Sequence, residues 1–371
     1  MAPNKNQRHF GLDLIRALAI LSVVFGHSMF ILKPIVPAIT SFPFLRGVDV
    51  FFVLSGYLIG TRFLQQNQKD NGVSISYGKK FLHHAAWRTL PMYFLFVLIN
   101  IGVGIILFPD DLYPSKIIPT FFLLQNVFTP HFDFFWESWS LPITIWFYAL
   151  LTVGVIWIGQ KYSRQQFKFK VLFFILVLLL IPLIVRIIIH LTTNLDFFWW
   201  DVKIRKFLPA RMDAPFYGFL AAWIRFYYPK WFKSLRIPGF FIAVGLYLWY
   251  YLYTPAAGTI GKDIIYLITS PLTYALLLPT FMYLKRAPAF IAKPITWISL
   301  ISYALYLVNL LIVTIFLKTG LFEYFNAVNG YIFYWVVTLF TAWFFYNFYE
   351  IKIRKQFDKW KKGGIAFKFK S

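Results

Sequence analysis

Long apolar runs joined by short, mostly basic connections dominate this chain. Runs long enough to cross a bilayer, or nearly so, begin near Leu14, Gly47, Leu90, Ser138, Val171, Ala214, Phe240, Ile264, Ile298 and Tyr331. A helix needs about 20 apolar residues to cross about 30 Å of hydrocarbon, so the pattern predicts an all-α, polytopic membrane bundle of about ten transmembrane helices. The sixth and seventh runs are short and rich in aromatic residues. Residues 117–128 are too few to span and predict a re-entrant or interfacial segment. The first run is not followed by a small-residue cleavage site, so it is expected to stay in the mature protein. Residues 1–350 are therefore expected to form the bundle. Residues 351–371 are expected to form a basic cytoplasmic tail drawn to anionic lipid.

Composition agrees with a membrane protein. Of 371 residues, 59% are hydrophobic and only 14% charged, too apolar a balance for a soluble domain. Cysteine is absent, which excludes disulfides, thiolate metal sites and cysteine nucleophiles. The net charge of +23 sits in short loops, with no soluble domain to gather it into a groove, so no nucleic-acid partner is expected. One side of the bundle receives Lys5, Arg8, Lys69, Lys79, Lys80, Arg88, the loops 161–170, 225–236 and 285–293, and the tail 352–370. The other receives Asp110, Asp111, Asp133, Glu137, Asp196, Asp201, Asp263 and Glu323. The positive-inside rule then places both termini in the cytoplasm, and the lipid bilayer is the first partner. Trp and Tyr at run ends, as in Phe198-Trp199-Trp200, fit an interfacial belt.

Ionisable residues inside such runs are costly, and their default reading is functional. Arg16 and His27 lie eleven positions apart in the first run. At about 100° per residue that is roughly 1,100°, close to three full turns, so both share one helix face. They are separated by about 16 Å along the axis, half the hydrocarbon thickness. The second run re-enters at Arg46-Gly47-Val48-Asp49, which puts Asp49 at about the depth of His27. A carboxylate there would orient the imidazole as a general base; a structural buried pair is the alternative. Gly56 and Gly60 offer a small-residue face for close helix approach. Arg16 and Arg88 gather charge suited to phosphate, whereas Lys79 and Lys80 fit lipid snorkelling better. His83 and His84 lack metal-ligand spacing and nearby acids, so no metal site is expected. Arg186 with His190 either line an external cavity or snorkel to the interface, and Arg211 with Asp213 either pair locally or face inward to a polar acceptor.

The segment Leu12-Asp13-Leu14-Ile15-Arg16-Ala17-Leu18-Ala19 leading to His27 resembles the opening of the acyltransferase-three family of integral-membrane acyltransferases. Gly47-Val48-Asp49-Val50-Phe51-Phe52-Val53-Leu54-Ser55-Gly56 resembles its second signature. Partial matches follow in family order at Arg88-Thr89-Leu90-Pro91-Met92-Tyr93, Glu137-Ser138-Trp139-Ser140-Leu141, Arg211-Met212-Asp213 with Gly218, and Ser302-Tyr303-Ala304-Leu305-Tyr306-Leu307.

The resemblance implies transfer of an acyl group, usually acetyl, from cytoplasmic acetyl-CoA or another acyl-CoA to a glycan or glycolipid hydroxyl on the outer side of a bacterial inner membrane. His27 would be the base and Asp49 its orienter. Arg16 and Arg88 would hold the donor. Trp139, Ser140, Tyr148, Arg211 and Tyr303 would line the substrate site. A route through acylated His27 is the variant of this chemistry.

Three departures stand out. Thr144 and Ile145 occupy the place of a Glu-Glu pair, Asn309 that of a histidine, and Ala85 that of an arginine. They favour the rival reading, a catalytically impaired relative that transports or binds an acyl or glycan cargo.

Overall fold

The structure, a computed structural model, describes residues 9–41, 45–70, 72–129, 134–253 and 255–362. Lys5, Arg8, Asp133 and the tail beyond Lys362, used above to orient the chain, lie outside the described residues. The chain is helical throughout, without a strand among those residues. The first half comprises α1 (Phe10–Ser28), α2 (Gly47–Asp70), α3 (Ile75–Leu107), α4 (Pro114–Phe121), α5 (Ser140–Lys161) and α6 (Arg164–Thr192). Short helices α7 (Phe197–Trp200) and α8 (Leu208–Arg211) flank a π-turn at Asp201–Arg205. Then come α9 (Asp213–Tyr227), α10 (Pro229–Ser234), α11 (Pro238–Tyr253), a π-turn at Gly261–Ile265, α12 (Tyr266–Tyr283), α13 (Ala289–Lys318), α14 (Ala327–Phe345) and, after a further π-turn at Tyr346–Glu350, α15 (Ile351–Lys362).

Among the described residues, eight helices, carried by α1, α2, α3, α5, α6, α12, α13 and α14, are long and apolar enough to cross a membrane. The sixth and seventh expected spans are α9 and α11, of 15 and 16 residues, shorter than the usual spanning length. The segment 117–128 lies partly in the eight-residue α4 and is too short to span. α3 starts 15 positions before its apolar run. Ser74 caps it, its Oγ accepting the Tyr77 N–H at 3.1 Å, so the helix extends over Lys79, Lys80 and Arg88. An apolar run marks the membrane-buried length of a helix; the cap marks its start.

Among the described residues, two large apolar cores organise the bundle, beside a smaller cluster around Trp200 and Tyr266. One centres on α2, α5, α6 and α9, the other on α1, α3, α13 and α14, and Val48 and Phe51 of α2 pack against both. Glycines bring α2 and α9 into backbone contact. A Cβ built on Gly56 would lie 1.7 Å from the Pro215 carbonyl oxygen, and one on Gly218 would lie 1.9 Å from that of Val53. Without hydrophobic drive between helices in lipid, such close packing is a main source of association. At the start of α1, buried Asp13 accepts the Ser299 hydroxyl at 2.9 Å and so stitches α1 to α13.

The glycine contact gives a direct test. Gly56→Ala is expected to lower the melting temperature of the detergent-purified protein, by an overpacking cost of roughly 1–3 kcal/mol. Gly102→Ala in α3, where a Cβ would meet nothing within 4 Å, is expected to leave it unchanged or raise it.

Candidate active site

A chain of buried charges fixes the helices around the site. Arg211, at the end of α8 and fully buried, pairs with Asp49 of α2 and donates to the Leu267 carbonyl of α12 at 3.3 Å. The Ser270 hydroxyl of α12 donates to the second Asp49 oxygen at 2.5 Å. Asp213 lies 4.0 Å from Arg211 and accepts from Arg186 of α6 at 2.9 Å. A guanidinium out of water requires anions and carbonyls around it, and losing one partner typically costs about 3–5 kcal/mol. These pairs therefore lock α2, α6, α8, α9 and α12 in one register.

Two cavities open beside this lock. The larger, of about 840 Å³, is lined by His27, Arg46, Asp49, Glu137, Trp139, Trp200, Asp201, Arg205, Lys206, Tyr250 and Tyr266, among others. The smaller, of about 370 Å³, is lined by Arg16, Arg62, His84, Arg88, Ser140, Thr144, Tyr148, Tyr303, Glu350 and Arg354, among others. Val48 and Tyr306 line both, so the cavities meet at these two side chains. The Tyr306 ring is held there by its hydroxyl, which donates to the Glu137 carbonyl and lies 2.7 Å from Ser140 Oγ.

His27 sits at the end of α1 on the larger cavity. Its Nδ1 is 2.6 Å from Asn309 Oδ1 of α13. The Asn309 amide nitrogen already donates to the Leu305 and Tyr306 carbonyls, each at 2.8 Å, so its oxygen must face the ring. That assigns the proton to His27 Nδ1 and leaves Nε2 as the basic nitrogen. Opposite, Asp201 is paired with Lys206 at 2.7 Å and with Arg205. Burial opposes ionisation of Asp201, but the Arg205 and Lys206 cations outweigh it and hold its carboxyl at about 2. Burial and the Arg205 charge push the Lys206 ammonium down to about 8. Both basic side chains lie on aromatic faces, Lys206 4.3 Å from the Trp136 centroid and Arg205 5.2 Å from that of Trp139. Asn126 pins this wall by donating to the Trp139 and Lys206 carbonyls at 2.8 and 2.6 Å.

The smaller cavity is cationic. Arg16, Arg62, Arg88 and Arg354 line it against the single carboxylate Glu350. Among the described residues, neither Arg62 nor Arg88 has a carboxylate within salt-bridge distance. Arg16 lies 3.6 Å from Asp13.

The expected His27–Asp49 pair does not form. Asp49 shares the cavity with His27, but Arg211 and Ser270 occupy its oxygens, and Asn309 takes the orienting position on the imidazole. Arg211 lines neither cavity; it acts behind the wall, through Asp49. Of the residues expected around the acceptor, Trp139 lines the larger cavity. Ser140, Tyr148 and Tyr303 line the smaller one, with Arg16 and Arg88. Thr144, in place of a glutamate, also faces the smaller cavity, with its hydroxyl donating to the Ser140 carbonyl at 3.0 Å. Arg186 and His190 line neither of these two cavities; Asp213 and Asp263 pair with them at 2.9 and 2.7 Å. Trp200, expected in the interfacial belt, is a buried wall residue. Arg62, Glu137, Arg205, Lys206, Glu350 and Arg354 were not anticipated as site residues. For Glu137 a signal existed, a carboxylate beside the Ser-Trp-Ser-Leu segment.

An all-helical bundle with eight apolar helices of spanning length among the described residues, and a histidine-bearing cavity adjoining an arginine-lined one, defines a polytopic membrane protein. Residues 9–347 match the acyltransferase-three family, described as an acyltransferase domain, and the chain belongs to that family. It is an acyltransferase by that membership. It is also similar to the peptidoglycan O-acetyltransferase OatA of Listeria monocytogenes, at 29% identity over 164 residues. That match covers 40% of this chain and 25% of the relative's length. No solved structure gives a significant match.

The buried lock yields a stability prediction. Arg211→Met leaves buried Asp49 without its cation and is expected to destabilise the fold by about 3–5 kcal/mol. Adding Asp49→Asn to that variant should recover part of the loss, read as melting temperature or as yield of monodisperse protein in detergent.

Proposed function

We propose that the protein is a membrane O-acyltransferase that moves an acyl group, most simply acetyl, from a cytoplasmic acyl-CoA to a hydroxyl of an extracytoplasmic carbohydrate. The observation that carries this reading is the junction of two chemically different cavities at Val48 and Tyr306. One is lined by arginines and the other by a histidine of fixed tautomer. Basic loops on the arginine side support a cytoplasmic position for that cavity and for both termini, with about ten passes if α9 and α11 are counted.

In this reading Arg16, Arg62 and Arg88 hold the donor's phosphates, because planar guanidinium groups donate two parallel bonds to phosphate oxygens. The thioester arm passes Tyr306 toward His27. His27 Nε2 takes the proton of the acceptor hydroxyl as its oxygen attacks the thioester carbonyl carbon. The resulting tetrahedral intermediate collapses, the C–S bond breaks, and the imidazolium returns its proton to the departing thiolate. An ester and free CoA leave. Asn309 holds the ring so that Nε2 points its lone pair at the reaction. The aromatic walls Trp139, Trp200 and Tyr250, with Lys206 and Arg205 beside them, suit a sugar ring, whose C–H faces stack while its hydroxyls bond to cations. The peptidoglycan relative supports a cell-wall glycan as acceptor and a bacterial inner membrane as location.

The competing reading, a non-catalytic carrier or acyl-binding protein, draws on Asn309 and on Thr144 and Ile145 in place of carboxylates. Liposomes containing the protein, labelled acetyl-CoA and a glycan panel separate the two. Transfer of label to a glycan is expected; its absence with every acceptor sinks the enzymatic reading. His27→Ala should lower the rate by roughly 10²-fold or more, the usual range for a general base. If that variant retains the full rate, His27 is not the base.

Asn309→Ala removes one orienting hydrogen bond. Its rate is expected to fall about tenfold, the equivalent of about 1.4 kcal/mol, with KM little changed.

A further inference from the structure

The arginine-lined cavity is completed by residues beyond the family's matched region, which ends at residue 347. After α14 the backbone widens into the π-turn Tyr346–Glu350, and α15 continues the helix alongside α3. Its first turn brings Arg354 to the cavity wall beside Arg88. Glu350 is 3% exposed, and one of its oxygens pairs with Arg354. Its Oε2, and Arg354 Nε, are buried with no hydrogen-bond partner. Buried polar atoms without partners cost free energy, and two of them on one ion pair facing a cavity point to a ligand that carries both an acceptor and a donor. The second turn is anchored by Phe357, whose ring stacks on Trp87 at 5.7 Å between centroids and contacts His83 and His84 at 5.4 and 5.6 Å. The segment expected to be a solvated basic tail thus begins as a helix docked over the cavity.

We propose that α15 is a part of the donor site: Arg354 binds a phosphate of a nucleotide-bearing donor, and Glu350 accepts an N–H or O–H of the same molecule. This rests on the reading of the smaller cavity as the acyl-CoA site. Three arginines from α1, α2 and α3 line that cavity, and Arg354 adds a fourth from α15. A nucleotide with more than one phosphate position matches cations spread around a cavity better than a single headgroup does. The Glu350–Arg354 pair keeps the guanidinium in place before the ligand arrives.

The test uses the purified full chain in nanodiscs, with calorimetric titration of CoA and of pantetheine, which has the thiol arm without the nucleotide. Wild-type protein is expected to bind CoA more tightly than pantetheine. Arg354→Gln should weaken CoA at least tenfold and leave pantetheine affinity as it was, while Arg354→Lys recovers part of the CoA affinity. Glu350→Gln should weaken CoA severalfold without lowering the melting temperature of the ligand-free protein. Equal CoA affinity in wild type and Arg354→Gln overturns the proposal. An equal loss of CoA and pantetheine also overturns it, since the residue is then only structural. Absence of CoA binding to the wild type itself removes the donor reading of the cavity, an outcome distinct from either.

Discussion

The fold turns on a guanidinium that has no access to water. Arg211 is stable where it sits only because Asp49 from α2, Asp213 at the start of α9 and a carbonyl of α12 surround it. Each partner belongs to a different helix, so satisfying one charge sets the mutual position of three or more segments. Through Asp213 the constraint reaches Arg186 and α6. A buried ion pair is a poor source of net stability but a strong selector of register, since any slip leaves a charge unpaired. The wall that holds Asp49 beside His27 is a product of that selection.

On this frame the two cavities have separate chemistry. One collects arginines against a single carboxylate; the other mixes paired charges with aromatic faces and one imidazole. Their junction is only two side chains wide. Tyr306 is tied to Ser140 and to the Glu137 carbonyl, so the residue separating the cavities is itself bonded to the segment that precedes α5.

Much of this was legible along the chain. The helical fold followed from the length of the apolar runs, and the close approach on Gly56 from the spacing of small residues. Arg16 and His27 were found from their cost inside an apolar run and their eleven-residue spacing, and each lines a cavity. The partner of His27 was misjudged for a physical reason. Depth along two helices put Asp49 level with His27, but depth carries no information about rotation, and Arg211 from a segment 162 positions away claims the carboxylate. Asn309 stood out as a departure from the family pattern, yet only the packing of α1 on α13 makes it the imidazole's neighbour. Arg62, Glu350 and Arg354 were missed because the polar ends of helices read as solvated loops in sequence, whereas caps and π-turns carry those helices past the apolar runs.

The contact between α2 and α9 bears on what kind of machine this is. Carriers that alternate access tilt one group of helices against another, which requires an interface that can slide or hinge. Here carbonyl oxygens lie where a methyl group could not fit, on both sides of the same crossing. Such an interlocked pair resists rocking. α2 lines both cavities and is held to α9 as one unit, so any change in the shape of either cavity falls to side chains and to the other helices around it.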